Sequence, residues 1–212
     1  LFAIGLFFGV PILLADILQS YISSNQNMFV FNIISGVVRI ILFLTYLILI
    51  SFLDDVKRLF QFHGAEHKTV YNFESGQDIN PRNASNFPKE HPRCGTSFVF
   101  IVMLVAIISF TIIDTILTNI GIELTVIKRL LIHIPCIPIV AGLSYEVLKI
   151  IAKFQKYLFF KILAFPGLML QKITTQTPNE EQLEVAIQAL SHAFGNDLSN
   201  FKGKQFNADA IG

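Results

Sequence analysis

Four apolar runs govern what this chain can fold into: Leu1 to Leu18, Met28 to Leu53, Phe98 to Leu117 and Leu130 to Ile151. The hydrocarbon core of a bilayer takes roughly 20 apolar residues per helix, and each run approaches or exceeds that length. Soluble folds hide their apolar residues in shorter, periodic stretches, so runs of this kind point to spanning helices. Composition agrees, because 53% of the 212 residues are hydrophobic and only 15% are charged. A water-soluble domain carries about 25% charge and covers its surface with it. Disorder, collagen and coiled coil are excluded as the main architecture. The expected fold is all-α, a polytopic helical membrane protein with about four spanning helices.

Residues 1–53 then hold the first two spans, 54–97 a cytoplasmic His/Cys segment, 98–151 the third and fourth spans, and 152–212 interfacial and soluble C-terminal helices with a tail. The chain opens on Leu1 inside an apolar run rather than on Met, so an N-terminal truncation is expected. Gly5 and Gly9 form a small-xxx-small pair that fits helix packing first and a homo-oligomer or other membrane partner second. Pro135 and Pro138 fall inside the fourth run, where each removes a backbone donor, and a kinked or broken helix is expected there. Arg39 lies in mid-span, and Asp16 or Asp114 is its expected partner. His133 reads as a satisfied core histidine.

Orientation follows from the basic residues in the connections. The link from Gln19 to Asn27 has none, whereas Lys57, Arg58, Lys68, Arg82, Lys89 and Arg93 follow the second run and Lys149, Lys153, Lys156 and Lys161 close the fourth. Both basic ends are therefore expected to face the cytoplasm, with the protein in the cell membrane and the lipid bilayer as its partner. Lys128 and Arg129 would lie on the outer side. A net charge of +1 gives no electrostatic footprint for nucleic acid. Farther on, Phe154 to Ile173 interleaves aromatics with lysines, the pattern of an amphipathic segment at the membrane surface, turning at Pro166-Gly167. Thr177-Pro178-Asn179-Glu180 reads as a capping box, and the spacing of Leu183, Ala186, Ile187, Leu190 and Phe194 predicts a helix stopped by Gly195.

The chemistry gathers between the second and third runs. His63-Gly64-Ala65-Glu66-His67 is an H-x-x-E-H string. On a helix its two histidines point the same way about 6 Å apart along the axis, so both imidazoles can reach one metal. Glu66 stands one residue away as a candidate general base, the arrangement of an inverted zincin. Gly64 weakens the helix. His91-Pro92-Arg93-Cys94-Gly95 supplies an imidazole and a thiol shortly before the third run. A cysteine near several histidines in a reducing cytosol is more often a ligand or reactive thiol than half of a disulfide. The leading expectation is a Zn2+ site, or one for another divalent metal, with His63, His67 and Cys94 as ligands and His91 as a fourth ligand or an outer support. Histidines that are only hydrogen-bonded, and a metal-free Cys/His nucleophile, are the alternatives. Glu146, near the end of the fourth run, is a candidate ligand or anchor behind the ligands.

Five strings occur in the order seen in the YqhQ family of bacterial membrane proteins, which this chain resembles: His63 to Thr69, His91 to Phe98, Val140 to Glu146, Pro166 to Leu168 with Leu170 to Thr175, and Glu184 to Ile187. The resemblance covers about residues 50 to 190. It implies a membrane location, a metal site and metal-dependent enzyme activity, and it names no substrate. Family members also carry a glycine-rich segment ahead of the first span, which is absent here. The function expected is metal-assisted hydrolysis of a peptide or lipid-linked substrate at the membrane surface. The alternative is a scaffold, metal sensor or transporter in which zinc is structural.

Overall fold

The computed structural model of the chain describes residues 5–22, 28–92, 94–154, 156–201 and 203–206. Among them every regular element is helical, as the apolar runs predict. A π-helical turn, Gly5–Gly9, leads into α1 (Val10–Ile22), followed by α2 (Met28–Ser51) and α3 (Asp54–Glu74). A five-residue helix, α4 (Pro81–Ser85), precedes α5 (Gly95–Asn119) and α6 (Val126–Lys153). Then come α7 (Leu158–Thr174), α8 (Glu180–Phe194) and the short α9 (Leu198–Phe201). Residues 1–4 of the first run, residues 23–27 of the link after it and Arg93 lie outside the described residues.

Among the described residues three helices, not four, are long and apolar enough to cross a membrane: Phe29–Ile50, Gly95–Asn119 and Val126–Lys153. The first run gives a shorter apolar helix, Gly5–Tyr21. At 1.5 Å per residue its described part reaches about 26 Å. Of the kinked or broken helix expected in the fourth run, the break is absent, for α6 runs unbroken through Pro135 and Pro138. Two missing donors leave the other hydrogen bonds of a 28-residue helix to hold it.

The chain divides into two compact units, Leu1–Tyr46 with Phe98–Leu148, and Leu47–Ser97 with Lys149–Gly212. In the first, Ile12, Ala15 and Phe31 form one buried cluster and Ala106, Phe110 and Val140 another. Gly36 lets α2 approach α5, since a Cβ there would run into the side chain of Ile107. Asp114 does not pair with Arg39. Its carboxylate, fully buried, accepts from Asn32 Nδ2 at 3.0 Å, from His133 Nε2 at 2.9 Å and from the Arg129 guanidinium. Arg129 also lies 3.8 Å over the Phe31 ring, and the His133 ring stacks on Phe110 with centroids 4.0 Å apart. Arg129 is thus a buried ion-pair partner rather than a loop charge, and His133 is the satisfied core histidine expected. Arg39 instead donates from Nε to the Phe7 carbonyl at 2.9 Å and sits over the Phe8 ring.

The second unit is organised by α3. Asp54 and Asp55 open this helix with charge favourable to its dipole. At its far end Gly76 leaves it with φ of 72°, a backbone conformation that other residues rarely adopt. Ala65 of α3, Ala84 of α4 and Leu183 of α8 meet in a small buried core. Small residues here bring the backbones close, so the polar seams carry much of the specificity. Lys68 reaches out of α3 to donate from Nζ to the carbonyls of Ser85, at 2.9 Å, and of Phe87. Burial lowers its pKa. The cap of α8 is Asn179, two residues later than the Thr177 expected. Asn179 Oδ1 accepts from the Gln182 backbone while Gln182 Oε1 accepts from the Asn179 backbone, both at 2.9 Å, which satisfies two end groups reciprocally. Gly195 ends that helix as the pattern predicts. Finally, α7 does not turn at Pro166-Gly167. It continues to Thr174, and Gly167 serves close packing, because a Cβ there would stand 2.8 Å from Ser97 Oγ.

Candidate metal centre

The H-x-x-E-H string lies on the exposed-to-buried boundary of α3, with His67 buried, His63 half-buried and Glu66 exposed. The helix places the two imidazoles on one side, with ring centroids 4.4 Å apart. Both are fixed from behind. His63 Nδ1 donates to the Thr174 carbonyl at 2.8 Å, and His67 Nδ1 donates to the Lys89 carbonyl at 2.5 Å. A carbonyl can only accept, so each Nδ1 carries a proton and Nε2 is the ring atom left to face the sulfur or a metal. This is the outer support that metal-binding histidines characteristically have.

Cys94 completes the group from the turn before α5. Its Sγ lies 3.2 Å from His63 Nε2 and 3.1 Å from Thr96 Oγ1, and it accepts from the Thr96 N–H at 3.4 Å. The ligand atoms of His63, His67 and Cys94 all fall within 4.8 Å of one another. A tetrahedral zinc with Zn–N of about 2.0 Å and Zn–S of about 2.3 Å sets its ligands about 3.5 Å apart, so a small contraction suits this set. Two imidazoles and a thiolate are also the borderline-soft donors that zinc favours. Burial by itself would raise the Cys94 pKa, but hydrogen bonds from His63, His67 and Thr96 overcome it and hold the thiol at about 5. His63 is raised, chiefly by its hydrogen bond with Cys94. Both shifts favour moving the proton from the sulfur toward His63, and a cation entering would take the place of the proton they share.

The other expected site residues are distributed differently. Glu66 lines the same pocket, a cleft of about 250 Å³ that it shares with His63, His67, Val70, Glu74, His91, Cys94 and Gly95. His91 stands beside the three-residue group rather than in it. Its Nε2 faces Glu74 Oε2 at 3.5 Å, and its ring lies against Tyr71, with centroids 4.6 Å apart. Glu146 is an exposed residue of the first unit and is not among those lining this pocket.

Sequence reasoning missed three supports. The fully buried Gln171 of α7 clamps His91, accepting from its N–H at 2.6 Å and donating to its carbonyl at 2.7 Å while also donating to Ser97 Oγ at 2.8 Å. Gly167, Leu170, Gln171 and Thr174 are the buried residues of α7, and their helical spacing, with polar residues on the buried face, was the available signal. Gly64 proves to be a site of close approach, because a Cβ there would collide with the Gln176 carbonyl. Glu74, which faces His91, closes the helix 11 residues past His63 with no local signature.

With this geometry in hand, comparison with known proteins gives a family. A family model described as "Protein of unknown function (DUF1385)" matches residues 1–196. The chain belongs to the DUF1385 family. One relative is the "Uncharacterized protein YqhQ" of Bacillus subtilis (strain 168), 35% identical over 191 residues that make up 90% of this chain and 57% of the relative. The chain thus spans a little over half of that relative's length. No solved structure matches it. Family membership agrees with the YqhQ resemblance of the sequence strings, and the three apolar helices fit a multi-pass membrane protein.

Proposed function

We propose that this chain is a membrane-anchored, metal-dependent hydrolase whose zinc ligands are His63, His67 and Cys94 and whose general base is Glu66, acting at the cytoplasmic face of the cell membrane. The observation that carries the reading is the convergence of three Lewis-base atoms within 4.8 Å, two of them on imidazoles fixed through Nδ1 by backbone carbonyls. Bound there, zinc would supply a Lewis acid and a water with its pKa lowered to about 7. The chain's own residues do the rest. Thr174 and Lys89 orient the two imidazoles, Thr96 orients the sulfur, and Glu66, exposed in the same pocket, accepts a proton from water. Three protein ligands leave a fourth position for water or substrate, the mark of catalytic zinc.

A second reading, a scaffold, sensor or transporter with structural zinc, draws on one observation. The ligands and their supports come from α3, the segment 89–94 and the end of α7, so a metal would staple three pieces of chain together. Metal analysis of the purified protein with X-ray absorption at the zinc edge tests both. One zinc per chain with two nitrogens, one sulfur and one exchangeable oxygen supports the hydrolase, as does a Glu66→Gln variant that keeps its metal and loses biological activity. A His63→Ala/His67→Ala variant with undiminished metal would remove the site altogether. Four protein ligands, with His91 as the fourth and Glu66→Gln harmless, would establish the structural role.

A further inference from the structure

The helix α7 changes character along its length. Its C-terminal half backs the metal pocket, with Gly167, Leu170, Gln171 and Thr174 buried, the Thr174 carbonyl holding His63 and Gln171 holding the His91 backbone. Its N-terminal half carries Tyr157, Leu158, Phe159, Ile162 and Phe165 each more than half exposed, at 53, 72, 65, 62 and 56%. A contiguous apolar surface of this kind marks a contact with a partner or a membrane. Two observations select the membrane. Lys153, Lys156 and Lys161, all exposed, are interleaved with these residues, which complements anionic headgroups, each lysine near such a surface adding about 1 kcal/mol of attraction. In addition, only residues 154–157 separate α7 from Lys153, the last residue of α6. Five extended steps of chain reach about 18 Å, so α7 begins close to the end of a helix long and apolar enough to span a bilayer.

We infer that the first half of α7 is an in-plane anchor, seated in the anionic interface of the bilayer, and that it holds the metal pocket at the level of the lipid headgroups. Phe165 and Gln171 are six residues apart on one helix, about 9 Å along its axis, and Gln171 bonds directly to the backbone of the pocket residue His91, so the pocket cannot stand far above the anchor. At that depth the bond offered to the metal belongs to a lipid-borne molecule rather than to a soluble one. This last step rests on the hydrolase reading above, whereas the anchor does not.

The chain contains no tryptophan, so single substitutions Phe159→Trp, Phe165→Trp and Lys172→Trp give unique fluorescent probes in the full chain reconstituted into nanodiscs of brominated phosphatidylglycerol and phosphatidylcholine. The expected result is quenching by bromolipid that is severalfold greater at positions 159 and 165 than for free tryptophan amide in the buffer. Lys172→Trp should be quenched to an intermediate degree. Replacing Lys153, Lys156 and Lys161 together by glutamine should bring quenching in anionic discs down to the level seen in purely zwitterionic ones. Quenching of positions 159 and 165 by aqueous acrylamide alone would overturn the anchor. Protection from both quenchers would mean that a protein covers this face, and would also overturn it. Bromolipid quenching at 159 and 165 without any at 172 would overturn the placement of the pocket. Zinc measured on the same samples reports separately on the metal site, so loss of zinc with quenching intact breaks only the hydrolase reading.

Discussion

The polar group around Asp114 and the one around Cys94 both gather ionisable side chains away from water, yet their chemistry differs. Around Asp114 an anion, a cation and two further donors close on one another: Asn32, Arg129 and His133 all donate to one carboxylate, and Phe31 and Phe110 cover the cation and the imidazole. Around Cys94 the three convergent atoms are all Lewis bases, and the groups that satisfy them hold their far sides. A buried group that balances its own charge needs no further ion, although losing one partner leaves the other uncompensated. Bases drawn together repel unless a proton or a cation lies among them. The first arrangement is what a structural ion pair looks like in an apolar unit, and the second is one that a cation could complete.

The largest expected effect breaks the first group. Asp114→Ala leaves the Arg129 guanidinium and the His133 imidazole without their shared acceptor, and removing one partner of a buried pair costs about 3–5 kcal/mol. Folded yield in detergent and thermal unfolding should both fall steeply, while zinc per folded chain stays constant. A loss of zinc of the same size as the loss of stability would show that the two groups are not separable. Next in size, Gln171→Ala removes both clamps on the His91 backbone, and orphaning buried polar groups costs about 1–3 kcal/mol. Because Gln171 holds His91, which stands beside the three ligands, metal affinity should drop by less than the 10- to 100-fold that follows loss of a ligand's own partner. Competition with a chelator of known affinity measures it, and an unchanged affinity would confine Gln171 to fold stability.

What could be read from the sequence divides along the same line. His63 and His67 were legible because four-residue spacing on a helix is a geometric statement, and Cys94 because a cysteine among histidines has few other roles. The three helices long and apolar enough to span were legible from their length, although four were expected. The carbonyls of Lys89 and Thr174 were not, since every residue has a carbonyl and its direction is set by the path of the chain. The pairing of Asp114 was misread for a related reason. A mid-span arginine invites a search for its acid, but Arg39 settles on the Phe7 carbonyl and the Phe8 ring. Asp114 instead meets Arg129 because α5 and α6 are joined by a short link, which brings the last turns of one beside the first turns of the other. The turn expected at Pro166-Gly167 failed because glycine can serve tight packing as well as turning.

Gly64 turns that lesson into a smaller test. An added methyl meets the Gln176 carbonyl, and Gln176 N–H donates to the Phe60 carbonyl at 2.8 Å, so the neighbouring strand of chain cannot easily give way. Gly64→Ala should therefore destabilise by about 1–3 kcal/mol despite its better helix propensity. Gly142→Ala, where nothing lies within 4 Å of the added carbon, should be neutral or stabilising by up to about 1 kcal/mol. Equal thermal shifts for the two variants would mean that the close approach at Gly64 does not constrain the site.

The smallest effect leaves the fold untouched and asks only about the sulfur. In protein stripped of metal, with Cys136→Ser removing the second thiol, Cys94 is the one cysteine left to alkylate. Its pKa of about 5 keeps it a thiolate at neutral pH, held by hydrogen bonds from His63, His67 and Thr96 against the cost of burial. The sign follows directly. Lowering the pH from 8 to 6.5 should leave the rate of reaction with iodoacetamide nearly level, and the rate should fall only as the pH drops through about 5. An ordinary thiol of pKa about 8.5 instead loses close to tenfold in rate for each unit below that value. Zinc should abolish the reaction across the range by occupying the sulfur. His63→Ala removes the largest of the favourable hydrogen bonds, so its profile should move toward that of an ordinary thiol, whereas a profile that stays level would place the cause of the lowered pKa in Thr96 and His67 instead.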